Sequence, residues 1–296
     1  MLPGLLFFLS LVNEVRTSLA RHDLASAQAA AKAYQAQAGA TPELAAALSW
    51  IARGELEARQ LPAADQYATQ AAKMARELLG MRRLDADPWL PTAIGAAIEV
   101  HAEVLAARGE RPEAISYLRS ELAAYSATSI GERIRKNLNL LDLEGKPAPA
   151  LDTSDWLGQR PPSLASLHGH PVLLFFWAHW CGDCKAEGPI LASLMQRYGP
   201  KGLVLVAPTR LYGYVGGGEP APAPAEKQYI ARIRDQYYPF LSGVPIPESA
   251  ANFLNYGAST TPTIVLLDAA GVVRFYHPGA ADEATLTQQI QRVVAR

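Results

Sequence analysis

The sequence predicts two domains of different fold class, an all-α helical-repeat domain in the first half and an α/β domain in the second. Alanine is used heavily in the first half, whereas aromatic and β-branched residues concentrate in the second. Helix–turn–helix segments recur in the first half. In the second half, short apolar runs alternate with helical segments, which is typical of strands joined by helices. A chain of 296 residues is long enough for two such domains.

Residues 1–12 contain an apolar run that is too short to cross a bilayer as a helix. Its length matches the h-region of a signal peptide, but a basic n-region is missing. The best small-residue cleavage site, at 18–20, would cut into a helical segment. Two interpretations stay open, a signal or anchor remnant at 1–12 and the first buried helix of the domain.

The first half repeats one pattern of helix end, polar turn and helix start. The pattern occurs at three places, 19–27, 58–64 and 107–114. Pro62 and Pro112 suit the first turn of a helix, where a missing N–H costs nothing. An aromatic residue follows each turn, namely Tyr34, Tyr67 and Tyr117. The pattern resembles a tetratricopeptide-type array, and the resemblance implies a concave surface that binds a protein or a peptide.

The helical pattern ends close to Leu143, and the glycine and prolines of residues 145–149 cannot continue it. We therefore expect a helical-repeat domain at 1–143 and an α/β domain at 144–296. The net charge of -1 gives no reason to expect binding to nucleic acid or to an anionic membrane surface.

The only two cysteines, Cys181 and Cys184, lie two residues apart between an apolar run at 172–177 and a helical segment. At such a junction Cys181 occupies a helix N-terminus, where backbone N–H groups and the helix dipole lower the pKa of a thiol. Cys184, one turn further on, is placed to close a disulfide with it. A zinc site would need a second pair of ligands, and Lys185 excludes a C-x-x-C-H haem attachment. A copper site made by this pair with a distal histidine such as His277 stays open.

Further apolar runs and turns predict the rest of the α/β domain. A second strand is expected at 203–207, parallel to the first, because a helix joins the two. We expect a strand hairpin at 263–267 and 272–276, and helices at 226–238, 250–256 and 282–294. The glycines and prolines of 209–225 exclude regular structure there, and this long loop is predicted to leave the sheet at the edge that bears the cysteines.

Several motifs together resemble the thioredoxin-like thiol:disulfide oxidoreductases of the TlpA/ResA-like group. They are Glu-Gly-Lys-Pro-Ala-Pro at 144–149, the W-C-x-x-C core, Glu187 followed by Pro189, and Thr-Pro-Thr at 261–263. The resemblance implies a thioredoxin-like fold for the second half. One departure is Asp183, since the group often has proline before the second cysteine.

The resemblance also implies roles for individual residues. Cys181 is the expected nucleophile, Cys184 the resolving cysteine, and Glu187 a carboxylate near the thiols with a raised pKa. Residues expected to contact substrate are Trp180, Gly182, Asp183, Thr261 and Pro262. The Thr261–Pro262 bond is expected to be cis, with the Thr261 backbone pairing to an extended substrate. His179 is expected at the rim of the site surface.

The function that these residues imply is thiol–disulfide exchange on protein substrates, as a reductant, with no organic cofactor or metal. It requires a redox partner that recharges the pair. The resemblance further implies a periplasmic or other extracytoplasmic location, with an N-terminal anchor as one option. A helical-repeat adaptor with a non-catalytic thioredoxin-like domain and a copper-handling protein are the alternatives.

Overall fold

The computed structural model describes residues 10–295, and the chain divides after Ile134 into two compact units. The division falls inside a helix, whereas the sequence-based limit between residues 143 and 144 falls after that helix. The domain limits therefore stay a prediction. Most of the apolar run assigned to a signal or anchor remnant lies outside the described residues, and its last residues, Leu11 and Val12, are buried in the first described helix.

The first unit is helical, as predicted. Its helices are α1 (Leu11–Ala20), α2 (Leu24–Ala38), α3 (Pro42–Glu57), α4 (Leu61–Leu79), α5 (Leu90–Ala107) and α6 (Arg111–Tyr125). A seventh helix, α7 (Gly131–Asp142), crosses the division between the units.

Short turns at 21–23, 58–60 and 108–110 join α1 to α2, α3 to α4 and α5 to α6, and the helices of each pair pack on each other. The turns coincide with the three repeated segments of the sequence. Small residues allow close packing in this unit, since a Cβ added at Gly54 of α3 would lie 2.6 Å from the Leu19 side chain of α1. Among the described residues, α5 alone is long and apolar enough to cross a membrane, and 56% of it is buried inside the structure.

The second unit contains a four-stranded sheet and a two-stranded ribbon. The strands are β1 (Trp156–Leu157), β2 (Val172–Phe176), β3 (Val204–Val206), β4 (Ile246–Pro247), β5 (Thr263–Leu267) and β6 (Val273–Pro278). The helices are α8 (Gly182–Tyr198), α9 (Ala223–Tyr237), α10 (Ala250–Tyr256) and α11 (Glu283–Val294).

The main sheet has the strand order β3-β2-β5-β6. β2 and β3 are parallel, as their helical connection predicted, whereas β5 is antiparallel to both β2 and β6. All five residues of β2 are buried, because helices cover both faces of this central strand. The predicted β5–β6 hairpin is confirmed. This arrangement is a thioredoxin-like fold.

Alternate residues of β2 enter two apolar clusters. Leu173 and Phe175 join the cluster that contains both cysteines and residues of α8, α9 and α11. Leu174 and Phe176 join the opposite cluster, which contains Phe253 of α10. The cysteine pair is therefore built on one packed face of the sheet.

Two expectations about local structure were wrong. The segment expected to be a loop up to residue 225 ends earlier, because α9 begins at Ala223 and tolerates Pro224 in its first turn. The same segment is not free of regular structure, since Tyr214 and Pro220 form an antiparallel bridge and the Ala221 N–H donates to the Gly213 oxygen at 3.0 Å. Glycines allow the chain to turn back between Gly213 and Ala221, because Gly217 and Gly218 both adopt positive φ.

Candidate active site

Cys181 and Cys184 form a disulfide at the N-terminus of α8, with the Cα atoms 5.3 Å apart. Cys181 is the N-cap residue of the helix, and its Sγ accepts a hydrogen bond from the Cys184 N–H at 3.0 Å. The same N–H can stabilise a thiolate at Cys181 when the pair is reduced. Cys184 is completely buried whereas 3% of Cys181 is exposed, so Cys181 is the cysteine that approaches the surface.

Glu187 lies on the same face of α8 as Cys184, three residues further along. It is buried, and its Oε1 accepts the Ala281 N–H at 3.0 Å, while Oε2 has no hydrogen-bond partner among residues 10–295. Burial raises the pKa of the Glu187 carboxyl to about 7; the Ala281 hydrogen bond opposes this shift and the charge of Asp183 adds to it. The raised pKa agrees with the expectation from the sequence and allows Glu187 to exchange a proton near neutral pH.

The Thr261–Pro262 bond is cis, as the resemblance implied. It lies directly before β5, whose first residue, Thr263, pairs with Phe176 at the end of β2. The bond is therefore at the end of the sheet from which the chain runs to Cys181. The Pro262 oxygen accepts the Gly279 N–H at 2.8 Å, which ties this turn to the segment that contacts Glu187.

The residues around the disulfide differ in exposure. Trp180 is 48% exposed, and Gly182 and Asp183 are exposed in the first turn of α8. Lys185 Nζ lies 4.3 Å from the centroid of the Tyr237 ring. The exposed Trp180 ring gives the site a flat apolar surface next to Cys181.

His179 is buried, so the expectation of a rim position was wrong. Only 2% of it is exposed, and its ring is surrounded edge-on by three tyrosine rings, those of Tyr212, Tyr214 and Tyr229, at 5.3 to 5.6 Å. His179 Nε2 lies 3.3 Å from Glu226 Oε1, outside hydrogen-bond geometry. Burial lowers the pKa of the His179 imidazole, and the Glu226 carboxylate opposes that shift.

The predicted long loop lies beside the site, as expected from the strand order. Tyr212 packs edge-on against Trp180 with ring centroids 5.4 Å apart. Near the start of this loop the Tyr212 and Gly213 N–H groups donate to the Glu226 carboxylate, a residue that no sequence motif had identified as part of the site. An acidic residue in the first turn of a helix is ordinary, so no local signal marked it.

The copper alternative concerns the cysteine pair and His277. Within the described residues, 10–295, no group of three His, Cys, Asp or Glu side chains could hold a metal ion. His277, the suggested copper ligand, stacks on Phe275 and contacts the Ala280 oxygen at 3.1 Å.

A disulfide across the first turn of a helix that follows the central strand of a thioredoxin-like sheet defines a thiol–disulfide oxidoreductase. The Redoxin family matches residues 143–290, which is half of the chain. The chain belongs to this family.

Curated relatives match the same half of the chain. The Thiol:disulfide interchange protein DsbE of Pseudomonas fluorescens biotype C is 29% identical over 147 residues, 49% of this chain and 72% of that protein. The Thioredoxin-like protein YneN of Bacillus subtilis (strain 168) is also 29% identical over 147 residues, 50% of this chain and 78% of that protein. The solved structure of a thiol:disulfide interchange protein from Chlorobium tepidum TLS is 20% identical and covers 52% of this chain and 99% of its own, with a TM-score of 0.38.

Proposed function

We propose that this thiol–disulfide oxidoreductase reduces disulfides of protein substrates, with Cys181 as nucleophile and Cys184 as resolving cysteine. The observation that supports these roles is the position of Cys181 as the N-cap of α8, with its Sγ 3.0 Å from the Cys184 nitrogen. A thiolate at that position receives both the hydrogen bond and the helix dipole, whereas Cys184 is shielded from a large substrate.

The reaction starts from the reduced pair. The Cys181 thiolate attacks one sulfur of the substrate disulfide, forms a mixed disulfide and displaces the second substrate sulfur as a thiolate. The Cys184 thiolate then attacks Cys181 Sγ, which breaks the mixed disulfide and releases the first substrate sulfur as a thiolate. Two electrons have passed to the substrate, whose thiolates take up protons, and the Cys181–Cys184 disulfide has formed. A partner with a dithiol must reduce the pair before the next cycle.

Glu187 is proposed to accept the proton of the Cys184 thiol before resolution. Its pKa of about 7 makes it partly ionised at neutral pH, and it follows Cys184 by one turn on the same helical face. Trp180, Gly182 and Asp183 are proposed to contact the substrate together with the turn at Thr261 and Pro262. There the Thr261 backbone would pair with an extended substrate segment.

The first unit is proposed to be a tetratricopeptide-like array that binds a protein or peptide. The three helix pairs and the close approach at Gly54 support this assignment. A periplasmic or other extracytoplasmic location, anchored or free, is proposed from the resemblance to the TlpA/ResA-like group.

Reduction of insulin with a small dithiol as electron source tests the activity. We expect turnover by the wild type and none above background for Cys181→Ser. The matched control is Cys184→Ser, which keeps the nucleophile but cannot resolve; when it is reduced beforehand and mixed with insulin in the absence of the dithiol, it should accumulate mixed disulfide. Equal rates for the wild type and Cys181→Ser would contradict the proposal and favour a binding role for the domain.

A further inference from the structure

A buried carboxylate fixes the start of the long loop between β3 and α9. Glu226 in the first turn of α9 is completely buried. Its Oε1 accepts the Tyr212 N–H at 2.5 Å and its Oε2 accepts the Gly213 N–H at 2.7 Å. Both oxygens are therefore used, and bonds from N–H groups to a charged acceptor are the stronger kind. These two hydrogen bonds hold the start of the loop to α9. They need an acceptor oxygen at each of two positions, which a carboxylate provides.

The same carboxylate lies next to the His179 ring. His179 Nε2 lies 3.3 Å from Glu226 Oε1, and His179 directly precedes Trp180 and Cys181 in the chain. The ring of Tyr229, also on α9, packs edge-on against His179 with centroids 5.3 Å apart. Glu226 thus contacts both the loop backbone and His179, which leads directly to the disulfide.

The part of the loop that Glu226 holds is the part that reaches the redox pair. Tyr212 packs edge-on against the exposed ring of Trp180 at 5.4 Å. On the loop side, the guanidinium of Arg210 lies 4.9 Å from the centroid of the Tyr212 ring and 4.8 Å from that of Phe253. Trp180 and Tyr212 together form an aromatic surface next to Cys181, which we call the aromatic wall.

We propose that Glu226 is a positioning residue that holds Tyr212 against Trp180, and that the aromatic wall selects substrates with an apolar or aromatic side chain beside the reacting cysteine. This inference rests on the proposed reduction of protein disulfides. A flexible loop would have to be ordered each time a substrate bound, whereas the Glu226 contacts order it beforehand. One aromatic contact of this kind corresponds to about a two- to tenfold preference.

Two synthetic peptides test the selectivity. Each contains one intramolecular disulfide, and they differ only in having Trp or Gly beside one cysteine. The readout is the ratio of kcat/KM for the Trp peptide to that for the Gly peptide. We expect the wild type to favour the Trp peptide, and Glu226→Gln to bring the ratio close to one through a higher KM for the Trp peptide. An amide has a single acceptor oxygen, so one of the two backbone N–H groups loses its partner.

Glu219→Gln is the matched control, because it makes the same chemical change at an exposed residue of the same loop. It should keep the wild-type ratio. A wild type without preference, or Glu226→Gln with the wild-type ratio, would overturn the inference. If Glu226→Gln lowers kcat/KM equally for both peptides, Glu226 has a general structural role and the inference also fails.

A second variant keeps the test decisive if Glu226→Gln does not fold. Tyr212→Ala removes the wall directly and should also abolish the preference, and a retained ratio would overturn the inference. Reduction of insulin by the wild type is measured in parallel. No turnover of insulin would contradict the proposed function itself, an outcome separate from a loss of peptide selectivity.

Discussion

Asp183 brings a negative charge into the first turn of α8, between the two cysteines. That turn is where the helix dipole and the Cys184 N–H would stabilise a thiolate at Cys181. A carboxylate in the same place repels the thiolate and weakens that effect. A less stable thiolate disfavours the reduced form, which makes the pair a stronger reductant.

We therefore expect Asp183→Pro to raise the reduction potential of the pair by tens of millivolts, where ~30 mV corresponds to about 1.4 kcal/mol. Asp183→Asn, of nearly the same size, separates charge from helix geometry and should raise the potential as well. Because Asp183 is exposed, the difference should shrink at high salt. Equilibration with glutathione gives the potentials, and unchanged or lower values for both variants would refute the role of the charge.

The buried Glu187 carboxyl should make the stability of the folded protein depend on pH. The direction of that dependence follows from its burial. Its pKa in the folded protein is about 7, above the ordinary 4.5, so the folded state binds this proton more tightly than the unfolded state. The contribution of Glu187 to the free energy of unfolding is therefore largest at low pH, and it is lost as the pH rises from 4.5 to 7. The loss is at most about 3 kcal/mol. Glu187→Gln should lack this dependence, as urea unfolding at several pH values would reveal.

The same substitution should slow the resolving step near neutral pH, since Cys184 loses its proton acceptor. Single-turnover kinetics against pH should show a higher apparent pKa for resolution in Glu187→Gln. Glu283→Gln, at a half-exposed position on α11, serves as the control and should match the wild type. Identical profiles for the wild type and Glu187→Gln would exclude a role in proton transfer.

The sequence predicted individual residues well where local spacing fixes their environment. Cys181 at the start of α8 and Glu187 on the same face as Cys184 follow from the strand-to-helix junction and from helical periodicity. The burial of His179 could not be predicted in this way. It depends on Tyr212 and Tyr214 of the long loop and on Tyr229 and Glu226 of α9, which are distant from His179 in the chain and meet it only in the folded domain.

The tip of the long loop, residues 215–219, can be replaced without removing Tyr214 or the Glu226 contacts. Tyr214 and Pro220 form an antiparallel bridge, so the ends of this tip lie close together. Replacing 215–219 by a short Gly-Ser turn should change the relative rates on different protein substrates more than the rate on a small disulfide. Rates on insulin, a second disulfide protein and hydroxyethyl disulfide measure this. Proportional changes on all three would mean that the loop tip is only a spacer.

Elements with a continuous sequence pattern were predicted, and the two-residue strands were not. β2 and β5 are continuous apolar runs, and α10, although only seven residues long, lies at the predicted residues 250–256. β1 and β4 are two-residue strands that pair across a long stretch of chain, so neither has a pattern of its own. The bridge inside the long loop depends on Gly213, Gly217 and Gly218, which adopt positive φ. The composition of this segment predicted only irregular structure.

In the whole chain, all proposed redox residues belong to the second unit. We therefore expect the chemistry on small disulfides to depend on that unit, with the helical unit serving recruitment. Helical structure in the first half and an α/β fold in the second were predictable, because composition and periodicity change along the chain. The limit between the two domains stays a prediction, since α7 continues without a break across the division of the structure after Ile134.

Trapping of the mixed disulfide identifies which of the two cysteines is the nucleophile. Cys184→Ser is reduced, mixed with a disulfide-containing protein and analysed by peptide mass spectrometry after thiol blocking. We predict a substrate peptide linked to Cys181, and no such link in Cys181→Ser, which retains only Cys184. A link to Cys184 in Cys181→Ser at a similar yield, or no link in either variant, would contradict the assignment of Cys181 as the nucleophile.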